Sequence, residues 1–110
     1  MRDAVSDVFA ALGDQTRRKI YEQLLDDENG RTATELATTA TVSRQAIVKH
    51  LQVLVRAELA STRRDGKEVR YYARRGGTSD ASRWLSERSI DWDRRLAALE
   101  KKVRSIPRTS

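Results

Sequence analysis

Cysteine is absent from this chain, which excludes a disulfide framework, a thiolate metal site and a thiol redox switch. Histidine occurs once, at His50. A lone histidine on the inner edge of a helix is more often bonded to backbone than a ligand or a catalyst, so His50 reads as structural. No glycine-rich phosphate loop is present, and the scattered Ser, His and Asp residues mark no pocket chemistry. Neither an enzyme nor a bound cofactor is expected. No apolar run approaches the length of a membrane span, and the start Met1-Arg2-Asp3 lacks a signal peptide's basic and apolar regions. The expected location is the cytoplasm, with no membrane partner.

What is present in excess is positive charge. Lys plus Arg number 22 against 16 Asp plus Glu, a net +6 with a sequence pI near 10.2, which suits a polyanionic partner. The placement matters more than the total. Between Arg56 and Arg75 seven basic residues face three acidic ones, so four of the six net charges lie in one short stretch. At 110 residues the chain is expected to be one domain spanning 1–110, with little room for a separate catalytic or sensory unit.

That basic stretch follows two short helical patterns. Thr32-Ala33-Thr34-Glu35 has the form of a capping box, in which Thr32 satisfies the Glu35 amide and the Glu35 side chain reaches back. Leu36 and Ala37 face inward. After Thr38-Thr39-Ala40-Thr41 and Val42, Ser43 is suited to cap a second helix running to about Arg56. In it Ala46, Ile47, His50, Leu51 and Leu54 share a face that must be buried. Arg44, Gln45, Val48, Lys49 and Gln52 fall on the other. Arg and Lys donate to guanine and Gln bonds adenine, so this exposed face is fitted to the major groove of a duplex. The helix-turn-helix is placed at about 32–56.

The next stretch, Leu59 to Ala73, alternates as strands do, with Asp65-Gly66 between the two runs. Asp-Gly is a strong hairpin signal, and a type I′ turn with positive φ at both central residues is expected. Arg63, Arg64 and Lys67 sit at the tip, with Arg70 further down. Charges on such a hairpin meet phosphates or enter a narrow minor groove. The candidate DNA-contacting residues are therefore Ser43, Arg44, Gln45, Lys49, Arg63, Arg64, Lys67 and Arg70, with the wing at about 59–73. Arg31 is a candidate to start a short strand pairing with the hairpin.

Helices are expected on either side. Val5, Val8, Phe9 and Leu12 make a first amphipathic helix ended by Gly13, and Asp14 caps a second in which Ile20, Tyr21, Leu24 and Leu25 repeat at core spacing. Gly76-Gly77-Thr78-Ser79 reads as a break before a long helix at about 80–103, with Pro107 ending the ordered part. Along that helix Ala81, Leu85, Trp92, Leu96, Leu99 and Val103 form a heptad-like stripe, with Trp84 and Ile90 off the line. A small protein needs only part of this surface for its own core. Homodimerisation through Val5, Val8, Phe9, Leu12, Leu85, Trp92, Leu96 and Leu99 is expected to cover the rest, placing two recognition helices roughly 34 Å apart.

Leu12-Gly13-Asp14-Gln15-Thr16-Arg17 resembles the leucine-glycine-aspartate-proline-threonine-arginine signature of bacterial arsenic-repressor (ArsR) type winged-helix regulators. Ser43-Arg44-Gln45-Ala46 with His50-Leu51 and Leu54 resembles their recognition helix. The similarity runs from about Val5 to Val103, with elements in the same order. It implies a mainly α fold with a small β-hairpin, a winged helix-turn-helix, and a homodimer with terminal helices at its interface that represses its own operon at an operator palindrome. Gln15 departs from the family's proline at the first helical turn, where both residues are tolerated. A second departure concerns sensing. Relatives that sense metal use cysteines in the first helix of the motif, or aspartate and histidine in the last helix. Here 32–40 has neither Cys nor His, and the last helix offers Asp80, Asp91 and Asp93 without an imidazole, so no metal site is expected.

The leading expectation is a homodimeric, sequence-specific repressor of double-stranded operator DNA. The alternative is a winged-helix module that binds protein or RNA, since fold alone does not decide function. An effector is not written in the sequence. Trp84, Trp92 and Tyr21 are candidates to line an apolar cavity for a small organic molecule, although aromatics at helical spacing are more often core.

Overall fold

A computed structural model describes residues 3–104; Pro107 and the Met1-Arg2 start lie outside the described residues. The order of elements is α1 (Ala4–Leu12), α2 (Gln15–Leu25), β1 (Arg31–Thr32), α3 (Ala33–Thr38), α4 (Arg44–Arg56), β2 (Ala60–Asp65), β3 (Glu68–Ala73), a 3-10 turn (Arg75–Thr78) and α5 (Ser79–Arg104). The strands form one antiparallel sheet in the order β1-β3-β2. This is the expected fold class, helical with a small hairpin. No described helix is long and apolar enough to cross a membrane.

Short polar side chains set where the helices begin. Asp3 accepts from Val5 N at 3.1 Å, Asp14 from Arg17 N at 2.9 Å, Thr32 from Glu35 N at 3.1 Å and Ser43 from Ala46 N at 3.1 Å. Each such cap satisfies an otherwise orphaned amide. The Arg17 amide, more than any nearby charge, holds the Asp14 carboxyl below its ordinary value. That cap is therefore fully present at neutral pH and is lost as pH falls through the lowered value. The capping box at Thr32 is only half made. Glu35 does not reach back; its Oε1 accepts from Arg70 Nη2 at 3.2 Å.

Leu24, Leu36, Ile47, Leu51, Leu54 and Leu59 are fully buried and join Val8, Ile20, Tyr21 and Ala81 in one cluster. Burying a side chain of this size contributes about 1.5–3 kcal/mol. The inward face of α4 is Ile47, Leu51 and Leu54, with Ala46 and His50 half-buried. Val48, expected on the outer face, is half-buried against the core.

At the end of α4 the chain turns sharply into the sheet. Leu59 N donates to Leu54 O at 2.9 Å and Glu58 N to Val55 O at 3.0 Å, the paired bonds of a Schellman motif closed by two buried leucines. Its left-handed position usually belongs to glycine, yet Glu58 holds it at φ 61°. Glu58→Gly is expected to raise stability by about 0.5–1 kcal/mol, read as a higher urea midpoint with unchanged slope. The Arg74–Glu58 pair lost in the exchange, 3.8 Å apart between two exposed side chains, contributes little.

Two turns differ from expectation. Asp65 pairs with Glu68, so the two loop residues are Gly66 and Lys67, one step later than Asp-Gly. Only Gly66 has positive φ, at 63°, which is the II′ pattern with glycine at the first central position. The Gly76–Ser79 segment is no break either. It forms a 3-10 turn running straight into α5, with Gly77 N donating to Arg74 O at 2.9 Å.

Candidate nucleic-acid interface

The outer face of α4 carries Ser43, Arg44, Gln45, Lys49 and Gln52, all exposed. Gln45, Lys49 and Gln52 follow helical spacing and form one ridge. A helix of 13 residues is about 20 Å long and fits a major groove about 12 Å wide. Arg44 differs from that ridge. Its Nε donates to Thr34 Oγ1 at 3.0 Å, which ties it to α3.

The wing separates its basic residues by face. Directly opposed residues in an antiparallel pair share a side, and Arg63 pairs with Arg70 while Arg64 pairs with Val69. The Arg63 guanidinium lies 5.3 Å from the Tyr72 ring centroid. Arg64 shares its side with Val69 and Tyr71, which line the cleft against α3 and α4. Lys67 is exposed at the tip and makes no ion pair among the described residues.

Arg70 is where expectation and structure part most clearly. Its Nη1 donates to Gly30 O at 3.2 Å, its Nη2 to Glu35 Oε1 at 3.2 Å, and its Nε lies 3.7 Å from Asp65 Oδ2. These bonds stitch the wing to α3 and to the turn before β1. Arg70 braces the wing, with each of its three guanidinium nitrogens facing a partner.

His50 is half-buried, and its partner is a guanidinium where a backbone group was expected. Arg17 Nη1 lies 3.4 Å from His50 Nδ1. The same guanidinium donates through Nε to Ala11 O at 2.6 Å and through Nη2 to Ala10 O at 3.2 Å. It thereby satisfies the end of α1 and touches α4. Among the described residues no three His, Cys, Asp or Glu side chains come close enough to hold a metal ion.

At the surface expected to dimerise, Val8 is a correction. It is buried in the protomer's own core, and Val5 and Leu12 are partly buried against that core, because α1 uses this face to pack on the body. Phe9 meets Trp84 edge-on, with centroids 5.7 Å apart at 72°, while remaining 38% exposed. Beyond Ala81, α5 buries nothing among the described residues. Leu85, Trp92, Leu96, Leu99 and Val103 are 52–61% exposed. Tyr21, Trp84 and Trp92 do not converge on a cavity, since Tyr21 is core, Trp84 sits on Phe9 and Trp92 is exposed.

Three roles were missed in the sequence: Thr34, which holds Arg44; Arg17, which joins α1 to α4; and Trp84, read as a cavity wall, which joins α1 to α5. Arg17 carried a signal in the stretch Leu12 to Arg17, and Trp84 in its place on the long helix.

A short helix, a turn, a capped helix with an exposed polar ridge and a basic hairpin together define a winged helix-turn-helix DNA-binding regulator. The helix-turn-helix domain family matches residues 12–63. A solved ArsR-like transcriptional regulator from Rhodococcus sp. RHA1 is 39% identical, with a TM-score of 0.76 over 94% of this chain and 95% of its own. The transcriptional repressor SdpR of Bacillus subtilis is 32% identical over 74% of this chain and 88% of its length. A probable mercury resistance operon repressor of Streptomyces lividans is 39% identical over 63% of this chain, which spans about half, 54%, of that protein. The chain belongs to the ArsR family of transcriptional regulators.

Proposed function

We propose that this protein is a homodimeric repressor that binds a two-fold operator in double-stranded DNA. The observation that carries the reading is the exposed Gln45–Lys49–Gln52 ridge of α4, flanked by a wing bearing Arg63, Arg64 and Lys67. A module built to bind a protein partner has no reason to keep that ridge polar and basic. The half-exposed leucines of α5 are the surface a second copy would cover, with Phe9 and Trp84 at its edge. A cysteine-free chain offers a soft metal ion no thiolate ligand.

The test uses fluorescence anisotropy with DNA from directly upstream of the protein's own coding sequence and a scrambled duplex of equal length, across a salt series. Gln45→Ala is expected to lose about tenfold on the preferred duplex and little on the scrambled one, about the discrimination of one base contact. Arg64→Ala is expected to weaken both alike and lower the salt slope by about 1. Equal losses on both duplexes from both variants would contradict this division. Absence of duplex binding even at low salt, with retained capture of a protein or RNA partner, would favour an interaction module.

A further inference from the structure

A cleft of about 340 Å³ opens between α3, the start of α4 and the wing, with Thr34, Arg44, Val48, Lys67, Glu68 and Val69 among its walls. It brings two cations from separate elements to one place against a single carboxylate. Arg44 is held at this cleft by the bond from its Nε to Thr34 Oγ1 at 3.0 Å. That bond occupies one edge of the guanidinium and leaves its terminal nitrogens for an anion. No ion pair among the described residues neutralises either Arg44 or Lys67.

Geometry decides which anion passes here. With the ridge of α4 in the major groove and the wing in the adjacent minor groove, one strand separates the two grooves. That strand must cross the cleft lying between α4 and the wing. In helix-turn-helix docking the first helix of the motif also runs over the backbone, and Thr34 belongs to that helix. We propose that the cleft seats one backbone phosphate per half-site, gripped by Arg44 from one wall and Lys67 from the other. This rests on the proposed DNA binding and divides the recognition helix into two roles. Arg44 positions the duplex without reading it. Gln45, Lys49 and Gln52, on the free ridge, are left to meet base edges.

Ethylation interference on the upstream duplex, combined with the anisotropy salt series, tests the assignment. For Arg44→Ala and Lys67→Ala we expect losses of about tenfold on upstream and scrambled duplexes alike, the scale of one charge-assisted hydrogen bond, with the salt slope smaller by about 1 in each. Both variants should lose interference at the same phosphate, and Gln45→Ala should keep it. Both residues are exposed, so unchanged circular dichroism is expected to show that the fold survives. If Arg44→Ala instead erases the preference for the upstream duplex while its interference pattern stays complete, Arg44 reads a base and the phosphate seat is overturned, with DNA binding intact. If Arg44→Ala and Lys67→Ala lose different phosphates, the shared seat is likewise overturned. A wild-type protein that binds no duplex at low salt overturns the proposed function, and the seat with it.

Discussion

Replacing Leu96 and Leu99 together with glutamate is expected to leave a folded monomer whose preference for its operator falls by at least about thirtyfold. Specific binding exceeds non-specific binding by about a thousandfold or more when both half-sites are engaged, and a monomer that engages only one keeps about the square root of that ratio. Both leucines are more than half exposed in the protomer, at 52% and 58%, so the protomer's own core does not depend on them. In a two-fold dimer each is buried twice over, at about 1.5–3 kcal/mol per side chain, and four facing carboxylates would replace them. Analytical ultracentrifugation gives the oligomeric state, circular dichroism the helix content and anisotropy the affinity. A variant that stays dimeric would move the interface away from the distal half of α5.

Gly77→Ala carries the largest expected loss of stability, about 2–3 kcal/mol, of the size seen when a packed site is forced to accept extra atoms. A methyl group at Gly77 would overlap the Glu58 carbonyl oxygen and lie 3.2 Å from Leu59 Cα. These are backbone atoms, held by the Schellman bonds at the end of α4, so no side chain can rotate out of the way. Thermal unfolding should show a fall of about 10–20 °C for a domain of this size. The neighbouring Gly76→Ala, where nothing lies within 4 Å, is the control and should cost far less. Equal behaviour of the two variants would mean that the 3-10 turn relaxes away from Glu58.

The parts of this fold legible in the sequence are those written in short-range chemistry. Asp14, Thr32 and Ser43 cap the helices they were expected to cap, because a cap needs only its own next three residues. On α4 the buried Ile47, Leu51 and Leu54 followed from spacing alone, whereas Val48, expected on the outer face, packs half-buried against the core. What escaped depends on groups far apart in the chain. Arg70 is claimed by Gly30 and Glu35, and His50 by Arg17, none of which adjoins its partner in sequence. The hairpin turn fell one residue later than Asp-Gly because the Asp65–Glu68 pair extends the ladder, and pairing is decided across strands. Val8 and Phe9 divided between core and surface for a similar reason. The stripe on α1 is wider than what the body covers, and only the packing of α1 on its neighbours shows where the cover ends.

The Arg17 guanidinium, bonded to two carbonyls of α1 and within reach of His50 on α4, has a mechanical meaning. It bridges the short Gly13-Asp14 joint from the inside, so α1 cannot tilt on that joint without breaking the bonds it makes. In the proposed dimer the helix beside the seam is thereby tied to the helix offered to the groove. The span from one groove to the next would then follow from how the two copies meet along α5.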